Sequence, residues 1–234
     1  MAKLPVLMYH HVTQAEGKNL TISVKNLEKQ FKYLSESGYR SYHFRELLKL
    51  KRLPKGKNIV ITFDDCYVSQ LELALPLLKK YKLKAAFFAP LQFLGSKDDW
   101  NTSTLEVMSV EQLKSLDADI VELGYHSYSH KKYNEISNEE VEEDLQKSVD
   151  FVTKNKLNFS PILAYPYGKF PRDKIQKRIF QSTLSNNGIE YGLRIGNRIN
   201  KFPFKRPFEI ERIDVKGEWK LLKFRQKIRF GKLF

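Results

Sequence analysis

Asn58-Ile59-Val60-Ile61-Thr62-Phe63-Asp64-Asp65-Cys66 is the stretch on which the reading of this chain turns. The apolar run Asn58 to Phe63 suits a buried strand, and it ends on two adjacent carboxylates. Burying an unpaired charge costs on the order of several kcal/mol. Two at one strand end therefore call for a metal ion or a reaction.

Working outward, the same arrangement recurs. Residues 5–9 form a short apolar run that delivers His10 and His11. Residues 85–88 read as the next strand, and 120–123 as another that runs into His126-Ser127-Tyr128-Ser129-His130. Residues 162–165 end at Pro166-Tyr167-Gly168. Helical patterns lie between them. Leu27, Phe31 and Leu34 share a face, with Gly38 as the stop. Residues 45–51 and 172–184 are expected to be helical, and 71–81 as well, with Pro76 as a kink or break. Ser109 to Gln112 and Ser137 to Glu140 have the capping-box spacing. Residues 94–104 read as a polar loop and 189–215 as short strands and turns.

Alternating strands and helices predict a parallel sheet, and continuously apolar strands predict burial on both faces. The expected fold is α/β, either an open sheet or a barrel. His10, Asp64, Asp65, His126 and Tyr167 each follow a strand, which is where sites assemble in such folds.

The chain has 234 residues, 41% of them hydrophobic, enough for one full core. No run of about 18 apolar residues predicts a spanning helix, and the first residues do not resemble a secretory signal. The single Cys66 excludes an internal disulfide and suits a reducing compartment. A cytoplasmic location is the expectation. The formal charge of +14 attracts polyanions such as nucleic acid, anionic lipid or a phosphorylated glycan carrier, although a basic proteome would also explain it. No nucleic-acid-binding motif accompanies the charge, so no nucleic-acid partner is expected.

Asp65, His126 and His130 form a two-histidine, one-carboxylate set that suits Zn²⁺, and also Co²⁺, Ni²⁺ or Fe²⁺. Such a set leaves room for a water whose pKa the ion lowers to about 7. Asp64 then reads as a general base or as a cap for the following helix. The Tyr167 N–H, after a fixed proline, could face an oxyanion or simply close an aromatic turn.

Together Thr62-Phe63-Asp64-Asp65, His126-Ser127-Tyr128-Ser129-His130 and Ala164-Tyr165-Pro166-Tyr167-Gly168 resemble the first three motifs of the polysaccharide deacetylase (NodB-homology, carbohydrate esterase 4) family, in its order, across residues 5–215. The resemblance implies a distorted (β/α) barrel and metal-dependent removal of an acetyl group from a sugar. It implies Asp64 as base, Asp65, His126 and His130 as metal ligands, and the Tyr167 amide as oxyanion donor. Tyr165, Pro166 and Arg212 are expected to bind substrate, and Arg212 also stands in for an arginine that usually precedes the third motif. No histidine follows His130, where the family has its acid. Tyr9-His10 is similar to a circularly permuted, exopolysaccharide-deacetylating subgroup, so His10 is assigned as general acid, with His11 as the fallback. Cys66 stands where the family usually has glycine.

Residues 1–216 are expected to be the catalytic unit and 217–234 a basic amphipathic segment. Leu221, Phe224 and Ile228 share one face of it. That face could pack on the barrel or meet an anionic membrane beside a lipid-linked sugar at the cytoplasmic leaflet. The expected substrate is an acetylated glycan or lipid-linked sugar. The alternative is a catalytically degenerate relative that binds such a glycan.

Overall fold

In the computed structural model, which describes residues 1–232, seven parallel strands close into a ring. They are β1 (Val6–Tyr9), β2 (Lys57–Asp64), β3 (Ala85–Ala89), β4 (Val121–Tyr125), β5 (Phe159–Ala164), β6 (Tyr191–Ile195) and β7 (Ile210–Asp214). Each pairs with the next, and β7 pairs with β1 through Ile213 opposite Leu7, so the sheet is a barrel. Residues 39–41 add a further parallel strand outside β2.

The apolar strands have two faces to bury. Val6, Val60, Ala86, Ile162 and Leu193 belong to one core cluster, in the lumen. Leu7, Ile61, Phe63, Phe87 and Leu163 belong to the other, under the helices. This alternation places Val60, Thr62 and Asp64 on the same inward side. The lumen has no room for a side chain at Gly124: a Cβ there would come within 2.7 Å of Ile162 and Phe88.

The helices are α1 (Val24–Glu36), α2 (Phe44–Leu48), α3 (Leu75–Lys80), α4 (Val110–Lys114), α5 (Asn138–Lys154), α6 (Lys174–Asn186) and α7 (Leu221–Phe230). Both expected capping boxes form, at Ser109 with Gln112 and at Ser137 with Glu140. Residues 71–81 are helical with the break expected near Pro76. A π-helical turn, Gln70–Ala74, leads into α3, and Pro76 falls in the first turn of α3, where a missing N–H leaves no bond unmade. The helix expected from residue 172 starts at Lys174, because the Asp173 side chain caps the N–H groups of Ile175 and Gln176.

The N-terminal end of the barrel is closed by Tyr42, Phe44, Leu47, Leu53 and Phe202, which pack with the lumen residues. At the C-terminal end the strands open into a cleft of about 340 Å³. α7 lies beside α1, with Phe224 and Ile228 buried and the Phe224 ring 6.5 Å from that of Tyr33. Leu233 and Phe234, the end of the expected basic segment, lie outside the described residues.

Candidate active site

β2 ends in a sharp break. Asp65 and Cys66 have φ of +72° and +47°, a left-handed region that costs non-glycine residues about 1–2 kcal/mol each. The break stops the side-chain alternation that would point the two aspartates apart, and both carboxylates approach His126. Its Nε2 is 3.9 Å from Asp64 Oδ2 and 3.4 Å from Asp65 Oδ1. The positive φ at Cys66 is also why glycine suits that position; the thiol itself is buried.

His126 follows β4. Its Nδ1–H donates to the Ala164 carbonyl at the end of β5, 2.8 Å away, which leaves Nε2 free to face Asp65. His130 arrives by a tight loop rather than a helix. Ser127 and His130 both have positive φ, and the His130 N–H donates to Ser127 Oγ. The buried Asp144 carboxylate on α5 clamps this loop, accepting from the N–H groups of Tyr128 and Ser129 and the hydroxyls of Ser129 and Tyr133. His130 Nε2 then lies 3.3 Å from Asp65 Oδ1.

Three ligand atoms, one each from Asp65, His126 and His130, lie within 4.8 Å of one another, and all three residues are buried. Asp65 Oδ1 has no hydrogen-bond partner, although it is fully enclosed. An orphaned buried carboxylate oxygen facing two imidazole nitrogens is what a divalent ion would satisfy. Atoms about 2.1 Å from a tetrahedral ion are separated by about 3.4 Å, close to the spacings here. The set therefore fits a metal.

Asp64 has a different partner. Arg212 on β7, fully buried, meets it in a two-pronged contact, Nη1 to Oδ1 at 2.5 Å and Nη2 to Oδ2 at 2.7 Å. Burial pushes the Asp64 carboxyl up, but Arg212, His126 and His10 outweigh it and hold the pKa below the usual value. Burial likewise opposes ionisation of Asp65, yet His126 and His130 hold it well below the carboxylate range. Burial lowers His126, but the two aspartates more than offset this and raise it. For His130 burial dominates, and its pKa falls.

His10 Nε2 lies 3.7 Å from Asp64 Oδ2. His11 instead packs edge-on against Tyr67, 5.8 Å between centroids, so His10 is the histidine beside Asp64. The Gln70 side-chain amide, from the π-helical turn, donates to the carbonyls of both His10 and Asp64 and ties these two strand ends together.

Three substrate-binding expectations are corrected. Arg212 contacts no substrate space; it sits inside the barrel on Asp64 because β7 presents it inward. Tyr165 is buried between Tyr133, Phe170 and Phe180 and donates its hydroxyl to the Phe208 carbonyl. Pro166 is buried beneath the turn and is not among the residues of the cleft wall. Tyr167, with φ of +57°, does reach the cleft, its ring 5.0 Å from that of His130.

Sequence reasoning missed Trp100. Its ring stacks on His130 at 4.4 Å and forms part of the cleft wall. It comes from the polar loop, which the buried Asp98 organises by accepting from the N–H groups of Thr104 and Leu105 and the Asn101 amide. The Asp98-Asp99-Trp100 triplet was the available signal: one aromatic among carboxylates.

The family profile for polysaccharide deacetylase matches residues 51–180. The chain belongs to the polysaccharide deacetylase family. Among curated relatives, the poly-β-1,6-N-acetyl-D-glucosamine N-deacetylase of Staphylococcus aureus is 28% identical over 201 residues, 80% of this chain and 66% of its own length. The Bacillus subtilis polysaccharide deacetylase candidate YxkH is 27% identical over 178 residues, 75% of this chain and 60% of its own. The chain thus spans less than two thirds of these relatives. Two solved structures share the fold. Streptococcus pyogenes deacetylase PplD aligns with a TM-score of 0.81 at 19% identity, over 97% of this chain and 98% of that one. IcaB of Ammonifex degensii gives 0.78 at 23%, over 98% and 97%. The barrel inferred from the motifs is the barrel of this family.

Proposed function

We propose that this protein is a metal-dependent hydrolase that removes an acetyl group, an N-acetyl in the first instance, from a sugar in a cell-surface glycan or its precursor. The observation that carries this is the buried Asp65, His126 and His130 cluster beside an Asp64 held ionised by Arg212. The name of the staphylococcal relative supports an N-acetylated polysaccharide as the substrate class.

A divalent ion held by Asp65, His126 and His130, with zinc the first candidate and cobalt, nickel or iron also suited to these ligands, would supply Lewis acidity and an acidified water. Asp64 accepts the proton of the attacking water, and Arg212 keeps its carboxylate ionised and aimed. His10, within reach of Asp64 across the same cleft, donates a proton to the departing amine. The Tyr167 N–H donates to the developing oxyanion. Trp100 and Tyr167 flank His130 and shield it from solvent. A lipid-linked sugar is a narrower form of the same substrate, and contact of residues 217–234 with an anionic membrane is a separate part of this reading.

Acetate release from N-acetylated oligosaccharides, with Zn²⁺, Co²⁺ or Ni²⁺ added, tests the proposal on wild type and Asp64→Asn. Metal-dependent release that disappears in the variant is expected. Metal-independent release, or release that survives the substitution, would overturn the assignment.

A further inference from the structure

α7 carries two stripes. Leu221, Phe224 and Ile228 turn toward α1, and the last two are buried. Leu222, Arg225, Gln226, Arg229 and Phe230 recur at helical spacing on another face and line a groove of about 840 Å³. Lys3, from residues 2–4, and Lys55 and Lys57, from the entry to β2, line it too. Three separate segments thus bring five cations to one groove, and no carboxylate lines it among the described residues. Among the described residues none of the five makes a salt bridge. Their apolar neighbours are not all covered: Leu222 is 66% and Phe230 50% exposed.

We infer that this groove is a binding site for the phosphate headgroups of anionic phospholipids, with Leu222 and Phe230 entering the acyl boundary. Cations around a hollow, with no carboxylate partner among the described residues, attract phosphate at an anionic surface. Phosphate alone does not account for two exposed large apolar side chains on the same helix face; a bilayer surface does. The inference rests on the membrane reading of residues 217–234 in taking a lipid surface as partner. It adds the site, its headgroup chemistry and its direction, and it is independent of the deacetylase reading.

The direction matters. Lys57 begins the eight-residue β2 and Asp64 ends it. At roughly 3.3 Å per residue, the groove and the catalytic cleft lie about 25 Å apart, at opposite ends of the barrel. A membrane bound at the groove leaves the cleft facing away from it. The glycan that enters is then one extending through solution, so membrane binding at this groove and the lipid-linked form of the substrate exclude each other on the same bilayer.

Vesicle co-sedimentation of the full chain tests this, with phosphatidylcholine vesicles and with phosphatidylcholine–phosphatidylglycerol vesicles. Expected is binding to the anionic vesicles only, weakened at least tenfold in Lys55→Glu/Lys57→Glu and in Leu222→Glu. Acetate release from a soluble substrate should stay unchanged in both, which shows that they fold. Loss in Leu222→Glu alone would leave the α7 contact standing and overturn the groove. No binding to anionic vesicles would overturn both. Soluble polyphosphate that binds wild type and displaces it from vesicles at equal phosphate would overturn the lipid surface in favour of a polyanion.

Discussion

The two ends of the barrel are built in opposite ways. The N-terminal floor is a plug of Tyr42, Phe44, Leu47, Leu53 and Phe202, continuous with the lumen core. The C-terminal mouth holds Asp64, Asp65, His126, His130 and Arg212, all buried, and backbone strain at Asp65, Cys66, Ser127, His130 and Tyr167. Strain and enclosed charge persist only where surrounding structure over-determines them. The floor supplies that rigidity, so the mouth can hold groups that would otherwise separate or take up water. In barrels of this class, the end that stabilises and the end that reacts are different ends.

The comparison predicts that damage to the mouth costs activity and that damage to the floor costs stability. The largest effect is expected for Arg212→Met, where both are lost. Asp64 would remain buried without its partner, a destabilisation of about 3–5 kcal/mol. Acetate release should fall at least a hundredfold, read from kcat alongside a urea melt. Full activity in this variant would separate Arg212 from the reaction.

At the floor, Phe44→Ala should cost about 3–5 kcal/mol in the urea melt while the folded fraction keeps its kcat. A kcat loss equal to that of Arg212→Met would remove the distinction between the two ends.

His43 gives the floor its own acid sensitivity. It opens α2, is buried, and its Nε2 lies 3.1 Å from the Ile120 carbonyl. Burial lowers its pKa from 6.5 to about 4. The unfolded chain therefore binds the proton first. Stability is complete above pH 6.5, falls through the window from 6.5 to 4, and levels off below it. The loss approaches about 3 kcal/mol. In His43→Gln that slope should be absent from chemical melts taken across the window; an unchanged slope would assign the acid sensitivity elsewhere.

The smallest effect concerns strain outside the mouth. Lys82, exposed just beyond α3, has φ of +53°. Lys82→Gly should gain about 1 kcal/mol with no change in kcat. An accompanying loss of activity would mean that strain there also serves the site.

The sequence made some of this visible and hid the rest for physical reasons. Residues 58–66 were readable because an apolar run and two charges cannot both be ordinary at a strand end. His126 and His130 were readable by their spacing. The contact between Arg212 and Asp64 was not, since the partners are 148 residues apart and no local periodicity encodes a ring closure. Asp144 looked like one more acid on a helix beside Leu145, and Gln70 like a polar residue just ahead of a helix; only the folded chain shows what they hold. Tyr165 was misplaced because one step along a strand reverses a side chain's direction. Trp100 was overlooked because loops carry no periodic signal at all.

The seventh strand has a consequence for how the protein is made. During synthesis, Asp64 leaves the ribosome 148 residues before Arg212. At about 5–20 residues per second, this interval is roughly 7 to 30 s. Throughout it the sheet has two open edges, and Asp64 has no guanidinium partner. The Asp64–Arg212 pair is therefore completed only when β7 is translated, and a nascent chain stalled before residue 212 carries Asp65, His126 and His130 but leaves Asp64 without its partner.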